Sequence, residues 1–194
     1  MPAKLNFITP NAEEVIGRYA AICYDANIEK DACIRRAKKC SEDGHLATLR
    51  FAHAVFHITG ISRACSHQFV RSKHLDFLQR SQRYCKEDNP ELIYPSDRNQ
   101  YLYTQAYETA YDVYRQLLAQ GHKKEDARYV LPAAIETELY VVGNLQAWRD
   151  FIHLRADKHA QKEIREIAID INNQLAIECP NLFKEIVWMK EKGL

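Results

Sequence analysis

Apolar residues recur at helical spacing along most of the chain, and two stretches of alternating residues break that rhythm. Asn11 is placed to cap a helix running to about Asp25. A second helix is predicted from about Lys30 to Asp43, with Gly44 as its C-terminal stop. "FAHAVFHITG" (51–60) alternates small or polar with apolar residues, ends at Gly60 and predicts a strand. Helical spacing returns from Ile61 to about Arg71, and beyond Asp76 the register suits an extended segment. The polar run "KEDNPELIYPSDRN", with Pro90 and Pro95, predicts a loop over residues 85–98, a natural place for a lid. Asn99 to Gln120 carries Leu102, Ala106, Ala110, Val113 and Leu117 on one face. This predicts a long amphipathic helix, closed by Gly121, whose stripe joins the core. "AAIETELYVVG" (133–143) predicts a second strand. Helices are then expected over Leu145–Leu154 and Lys158–Glu178, the last ended by Pro180. The sum is an α+β chain, rich in helix and without internal repeats.

Composition narrows what such a chain does. Its 194 residues suit a single domain, 1–194, large enough to bury a core. With 27 Lys+Arg against 26 Asp+Glu, no overall field drives it onto nucleic acid or membrane, so any anion site is local. No apolar run approaches a bilayer span and no leader-like segment opens the chain, so a soluble, cytoplasmic protein is expected. The six cysteines form no C-x-x-C pair, which argues for reduced, mostly buried thiols over a metal or disulfide framework.

Local anion chemistry concentrates in "SHQFVRSKHLDFLQRSQRY" (66–84). On a helix reaching Arg71, Gln68 and Arg71 share a face. In an extended segment Ser81 and Arg83 point one way, Arg80 and Gln82 the other, and a hydroxyl beside a guanidinium makes a phosphate cradle. A solvated basic face explains the same spacing and stands beside that reading. Neither G-x-G-x-x-G nor G-x-x-x-x-G-K-[ST] occurs, so whatever binds is held by side chains. No nucleophile elbow or local Cys–His pair is present, and no metal site is expected; His53 and His57 suit core or subunit contacts. Arg155 follows the apolar Phe151, Ile152 and Leu154, where a guanidinium drawn inward needs an acceptor. Asp157 is placed to cap the next helix, and Arg128 precedes "YVLP".

Taken together these residues resemble the flavin-dependent thymidylate synthases. That family carries an R-H-R triplet, a seven-residue spacer, a serine, and an arginine two residues on. Here Arg71-Ser72-Lys73, the spacer from His74 to Arg80, Ser81 and Arg83 match in spacing. The likeness extends upstream through "GHLATLRFAHAVFHITGISRACSHQ" and downstream through "ARYVLP" and "LRADKHAQ", from Gly44 to about Ala168. Departures gather on the flavin side: R-S-K for R-H-R, Arg50 where a glutamate is common, and Gln146 and Asp150 for other polar residues.

The resemblance implies a small sheet flanked by helices and a homotetramer with shared active sites. It implies bound FAD, NADPH as reductant, methylenetetrahydrofolate as carbon donor, and reductive methylation of dUMP to dTMP. By the same resemblance Gln68, Arg71, Gln79, Ser81, Gln82 and Arg83 hold dUMP, with the phosphate on Ser81 and Arg83, while Arg128 and Arg155 address the uracil. His45, Arg71, Ser72, Lys73, His74, Asn144 and Asp150 fall to FAD, and Arg155, Arg128 and His45 to catalysis. Other one-carbon chemistry at carbon 5 of a pyrimidine nucleotide, such as hydroxymethylation, and a non-catalytic nucleotide or nucleic-acid binder are the alternatives.

Overall fold

A computed structural model describes residues 2–186. Within them four strands form an antiparallel sheet: β1 (Ala3–Ile8), β2 (His53–Ser62), β3 (Leu75–Gln79) and β4 (Glu136–Asn144), in the order β1-β2-β4-β3. Alternation on β2 puts Ala54, Phe56 and Ile58 into the core, while His53, Val55 and His57 line the opposite face. The long β2–β4 pairing sets Phe56 against Val141 and His57 against Tyr140, whose rings stack 4.3 Å apart. Gly60 does not end β2, as the spacing suggested. It takes a left-handed conformation (φ 64°) at a register shift, and the strand continues through Ile61.

Helices cover one face of this sheet. α1 (Ala12–Ala20) and α2 (Lys30–Glu42) touch at Gly17, where an added Cβ would lie 1.8 Å from the Cys33 carbonyl oxygen. α6 (Leu145–Arg155) places Trp148 against Phe56, its indole Nε1 donating to the Ala54 carbonyl at 3.1 Å. α7 (Lys162–Glu178) packs Ile164, Ile167, Ala168, Ile171 and Leu175 on the same core. The α+β, helix-rich architecture matches the reading of the pattern.

Several boundaries differ. β1 was not foreseen; Asn11 adopts φ 52° before α1 and makes no side-chain cap, and residues 21–24 tighten into a 3-10 turn. α3 spans only Arg63–Phe69, because Ser62 Oγ accepts from Cys65 N at 3.0 Å and starts the helix late. The Asp157 carboxylate accepts from His159 N at 2.8 Å within a turn, and α7 starts at Lys162, so Asp157 caps no helix.

α4 (Gln100–Ala119) and the short α5 (Lys124–Ala127) pack on one another and on the 3-10 turn at 128–130. α4 buries only Tyr114; Leu102 and Val113 stay 49% and 39% exposed, so the predicted core stripe is not core in one chain. The 85–98 loop is tied to α4 by tyrosines. Glu87 N donates to Tyr114 Oη at 3.1 Å, and Tyr111 Oη donates to the Glu87 carbonyl at 3.1 Å.

Candidate active site

The first group lies where β3 ends. Arg80 N donates to the Glu138 carbonyl (3.0 Å), after which the chain turns, Cys85 N donating to the Ser81 carbonyl (2.8 Å). Ser81 Oγ accepts from Arg83 N at 3.2 Å. Ser81 and Arg83 therefore sit in a tight turn, and the extended geometry expected for them is corrected: the serine hydroxyl competes for its own backbone. Arg83 is exposed, 2.5 Å from Glu125 and 5.5 Å from the Tyr84 ring centroid. Arg128, after α5, donates its Nε to the Glu125 carbonyl at 3.1 Å. Glu125, which sequence reasoning missed, thus brings Arg83 and Arg128 together. A cavity of about 830 Å³ opens beside Arg83 and Glu125, lined also by Lys86, Arg115, Lys123 and Lys124 among others. Gln79 and Gln82 are turned inward. Gln79 Nε2 donates to Ser66 Oγ (2.9 Å) and Thr137 Oγ1 (3.2 Å), and Gln82 is buried beside Glu87.

The second group lies at the other end of β3. α3 stops at Phe69, so Arg71 follows the helix and does not share its face with Gln68. Arg71 to His74 make the turn into β3, with Ser72 N donating to the Phe69 carbonyl at 2.8 Å and His74 at φ 64°. Arg71 and Lys73 are exposed and find no acceptor among the described residues, and Ser72 Oγ is buried without a partner. The turn lies over the end of β4, the His74 carbonyl facing Gly143, next to Asn144. Asn144 Oδ1 accepts from Ala147 N at 2.9 Å, so this side chain caps α6. Asp150 is exposed and accepts from Gln146 Nε2 at 2.8 Å. His45 stands apart, on a cavity of about 310 Å³ with Tyr24, Arg36, Lys39, Cys40 and Asp43.

Arg155 ends α6 half-buried. Its Nη2 donates to the Gln68 carbonyl at 3.2 Å, while its Nε is buried without an acceptor among the described residues. Gln68 Nε2 donates to Gln161. Nearby Cys65 is fully buried, and burial pushes its thiol far above the ordinary range, so it is no nucleophile.

The five residues of β3 hold the flanking turn residues His74 and Arg80 about 20 Å apart. Arg71 and Ser81 therefore do not close on one small ligand within a single chain, contrary to the pocket their spacing suggested. The described residues include no group of three or more His, Cys, Asp or Glu fit to hold a metal ion, and no helix long and apolar enough to cross a membrane.

The sequence matches the family described as thymidylate synthase complementing protein over residues 4–181. It is 38% identical over 162 residues to the flavin-dependent thymidylate synthase of Mycobacteroides abscessus, covering 73% of this chain and 65% of that protein. The protein of that name from Mycobacterium tuberculosis H37Rv is 37% identical over 162 residues, with the same coverage. The chain thus spans about 65% of the length of these relatives. A match over nearly the whole chain, joined to a sheet whose β3 is flanked by two basic turns, places the protein in the thymidylate synthase complementing protein family.

Proposed function

We propose that the protein is a flavin-dependent thymidylate synthase, converting dUMP to dTMP with methylenetetrahydrofolate as carbon donor and NADPH as reductant. The single observation that carries this beyond family membership is Arg155: a half-buried guanidinium with an orphaned Nε, beside Gln68, is built to meet a ligand acceptor. A uracil carbonyl is such an acceptor. As carbon 5 becomes nucleophilic, negative charge grows on that carbonyl, and a fixed guanidinium stabilises it as an oxyanion hole does. Ser81 and Arg83 address the nucleotide at its phosphate, and Arg128, expected at the uracil, is assigned to the phosphate side instead because it shares Glu125 with Arg83.

The residues present fit a phosphate-bearing flavin. Arg71 and Lys73 are unpaired among the described residues, and the buried Ser72 hydroxyl beside them lacks a partner. Those three, with His74, would hold FAD; His45, on its separate cavity, would reach the flavin from another chain, and Asn144 retains its amide N–H groups for the ring side while its oxygen caps α6. Bound flavin supplies hydride chemistry; the chain's own side chains bind, orient and polarise, which accounts for the lack of a nucleophilic triad.

Two uncovered surfaces support a homotetramer with shared sites. They are the α4 stripe and the outer sheet face carrying His57, Leu78 and Tyr140, of which Leu78 is 77% exposed. A second chain brings its Arg71 turn to the first chain's Ser81 turn, closing the gap along β3. Residues 1–194 form one domain in this reading.

Purified protein should be yellow and should oxidise NADPH and form dTMP only when dUMP and the folate are both supplied. Flavin-loaded protein that makes no methylated product with all components present refutes the assignment, and product mass separates a methyl from a hydroxymethyl group.

A further inference from the structure

Glu87 lies four residues beyond Arg83 and, at 4% exposure, is the least exposed acidic side chain among the described residues. Its main chain is pinned by Tyr114 and Tyr111 of α4, and Asn89 N also donates to the Tyr111 hydroxyl. Its Oε2 lies 3.8 Å from Arg80 Nε, and Arg63 and Gln82 flank the same carboxyl. Beyond Arg63 stands Arg128, close enough to repel it. Arg80 in turn is held at the end of β3 and donates Nη2 to the Lys86 carbonyl at 3.4 Å. The segment from Ser81 to Glu87 is therefore a short loop closed at both ends, and one charged group closes it.

Burial raises the Glu87 carboxyl above its ordinary range, while Arg80 and Arg63 draw it back down. A glutamine would fill the same space but leave Arg80 and the half-buried Arg63 without that counter-charge. Arg80 and Arg63 would otherwise compete with Arg83 and Arg128 for an incoming anion, and the Glu87 carboxylate occupies them.

We propose that Glu87 is a positioning residue for the nucleotide turn, engaging Arg80 and Arg63 so that Arg83 and Arg128 are left to face the substrate phosphate. The proposal rests on the reading of the Ser81–Arg83 turn as the dUMP phosphate site. Without the carboxylate, Arg80 is released and the turn from Ser81 to Arg83 loses its fixed end.

The test compares wild-type chain with Glu87→Gln and Glu87→Asp by dUMP calorimetry, flavin binding, thermal melting and steady-state kinetics. Glu87→Gln should bind flavin unchanged and raise the Kd and KM for dUMP about tenfold while kcat moves less than about twofold. Glu87→Asp, which keeps the charge, should recover part of that loss. Wild-type dUMP affinity in Glu87→Gln overturns the proposal. So does a lowered melting temperature with flavin and dUMP weakened together, the mark of a purely structural role. Wild-type protein that binds flavin but no dUMP overturns the site reading and this proposal with it.

Discussion

Arg83 and Lys73 are both exposed cations on turns at the ends of β3, yet they are assigned to different ligands. Arg83→Ala should weaken dUMP by about 1.5–3 kcal/mol, one to two decades in affinity, and leave flavin binding nearly unchanged. Lys73→Ala should do the reverse in flavin-free protein titrated with FAD. Calorimetry showing equal losses for both ligands in both variants would end the division into substrate and cofactor poles. Glu87 adds a pH signature at the same scale. Its folded carboxyl titrates above the unfolded value, so the folded state holds the proton more tightly, and the protein loses stability as pH rises from about 4.3 through the native titration. The groups that face it are Arg80, Arg63 and Asp88, with the hydroxyls of Tyr111 and Tyr114 near its main chain. Denaturant titrations of wild type and Glu87→Gln should therefore diverge with rising pH, the variant becoming relatively more stable; parallel curves would contradict the sign. None of this was legible in the sequence, where Glu87 is one acid in a polar loop. What singles it out is burial by tyrosines some 24 to 27 positions away.

Elements were easier to read than their ends, for reasons that particular residues show. α2, α4 and α6 follow their apolar spacing closely, since local periodicity decides them. β1 alternates as "AKLNFI", but a bulge between Leu5 and Phe7 turns Phe7 out to 50% exposure, and α7 completes the strand through Gln174 Oε1, which accepts from Leu5 N at 2.9 Å. Those partners are 169 positions away, and no local window holds them. The Ser81–Arg83 turn was misread as extended because two-residue spacing says nothing about a serine that bonds its own backbone. Gly17 gives the sharpest element-scale expectation. Its absent side chain lets α1 meet the Cys33 backbone of α2, which cannot yield as a flexible side chain would. Gly17→Ala should destabilise by about 3 kcal/mol or more, read as a shift of the denaturation midpoint. A variant as stable as wild type would show that the two helices are not in the described contact.

At the scale of the whole molecule, the candidate site is split by β3 and two apolar surfaces are left uncovered, and these two facts answer each other. An amphipathic helix that buries one tyrosine out of twenty residues has little reason to hold its stripe in water. The stripe was predicted correctly as apolar; its burial against the chain's own core was not, because a sequence cannot say whether a face packs within a chain or between copies. Leu102 and Val113 are exposed and make no part of the core cluster, so Leu102→Asp with Val113→Asp should spare the fold, judged by circular dichroism and melting. Light scattering should then show the assembly reduced to smaller species. If the Arg71 turn of one chain serves the Ser81 turn of another, those species should also lose dUMP affinity while Arg71, Ser81 and Arg83 are all still present. A dissociated variant that binds dUMP as tightly as the parent protein would mean that one chain closes the site alone, and that the separation along β3 has been given the wrong meaning.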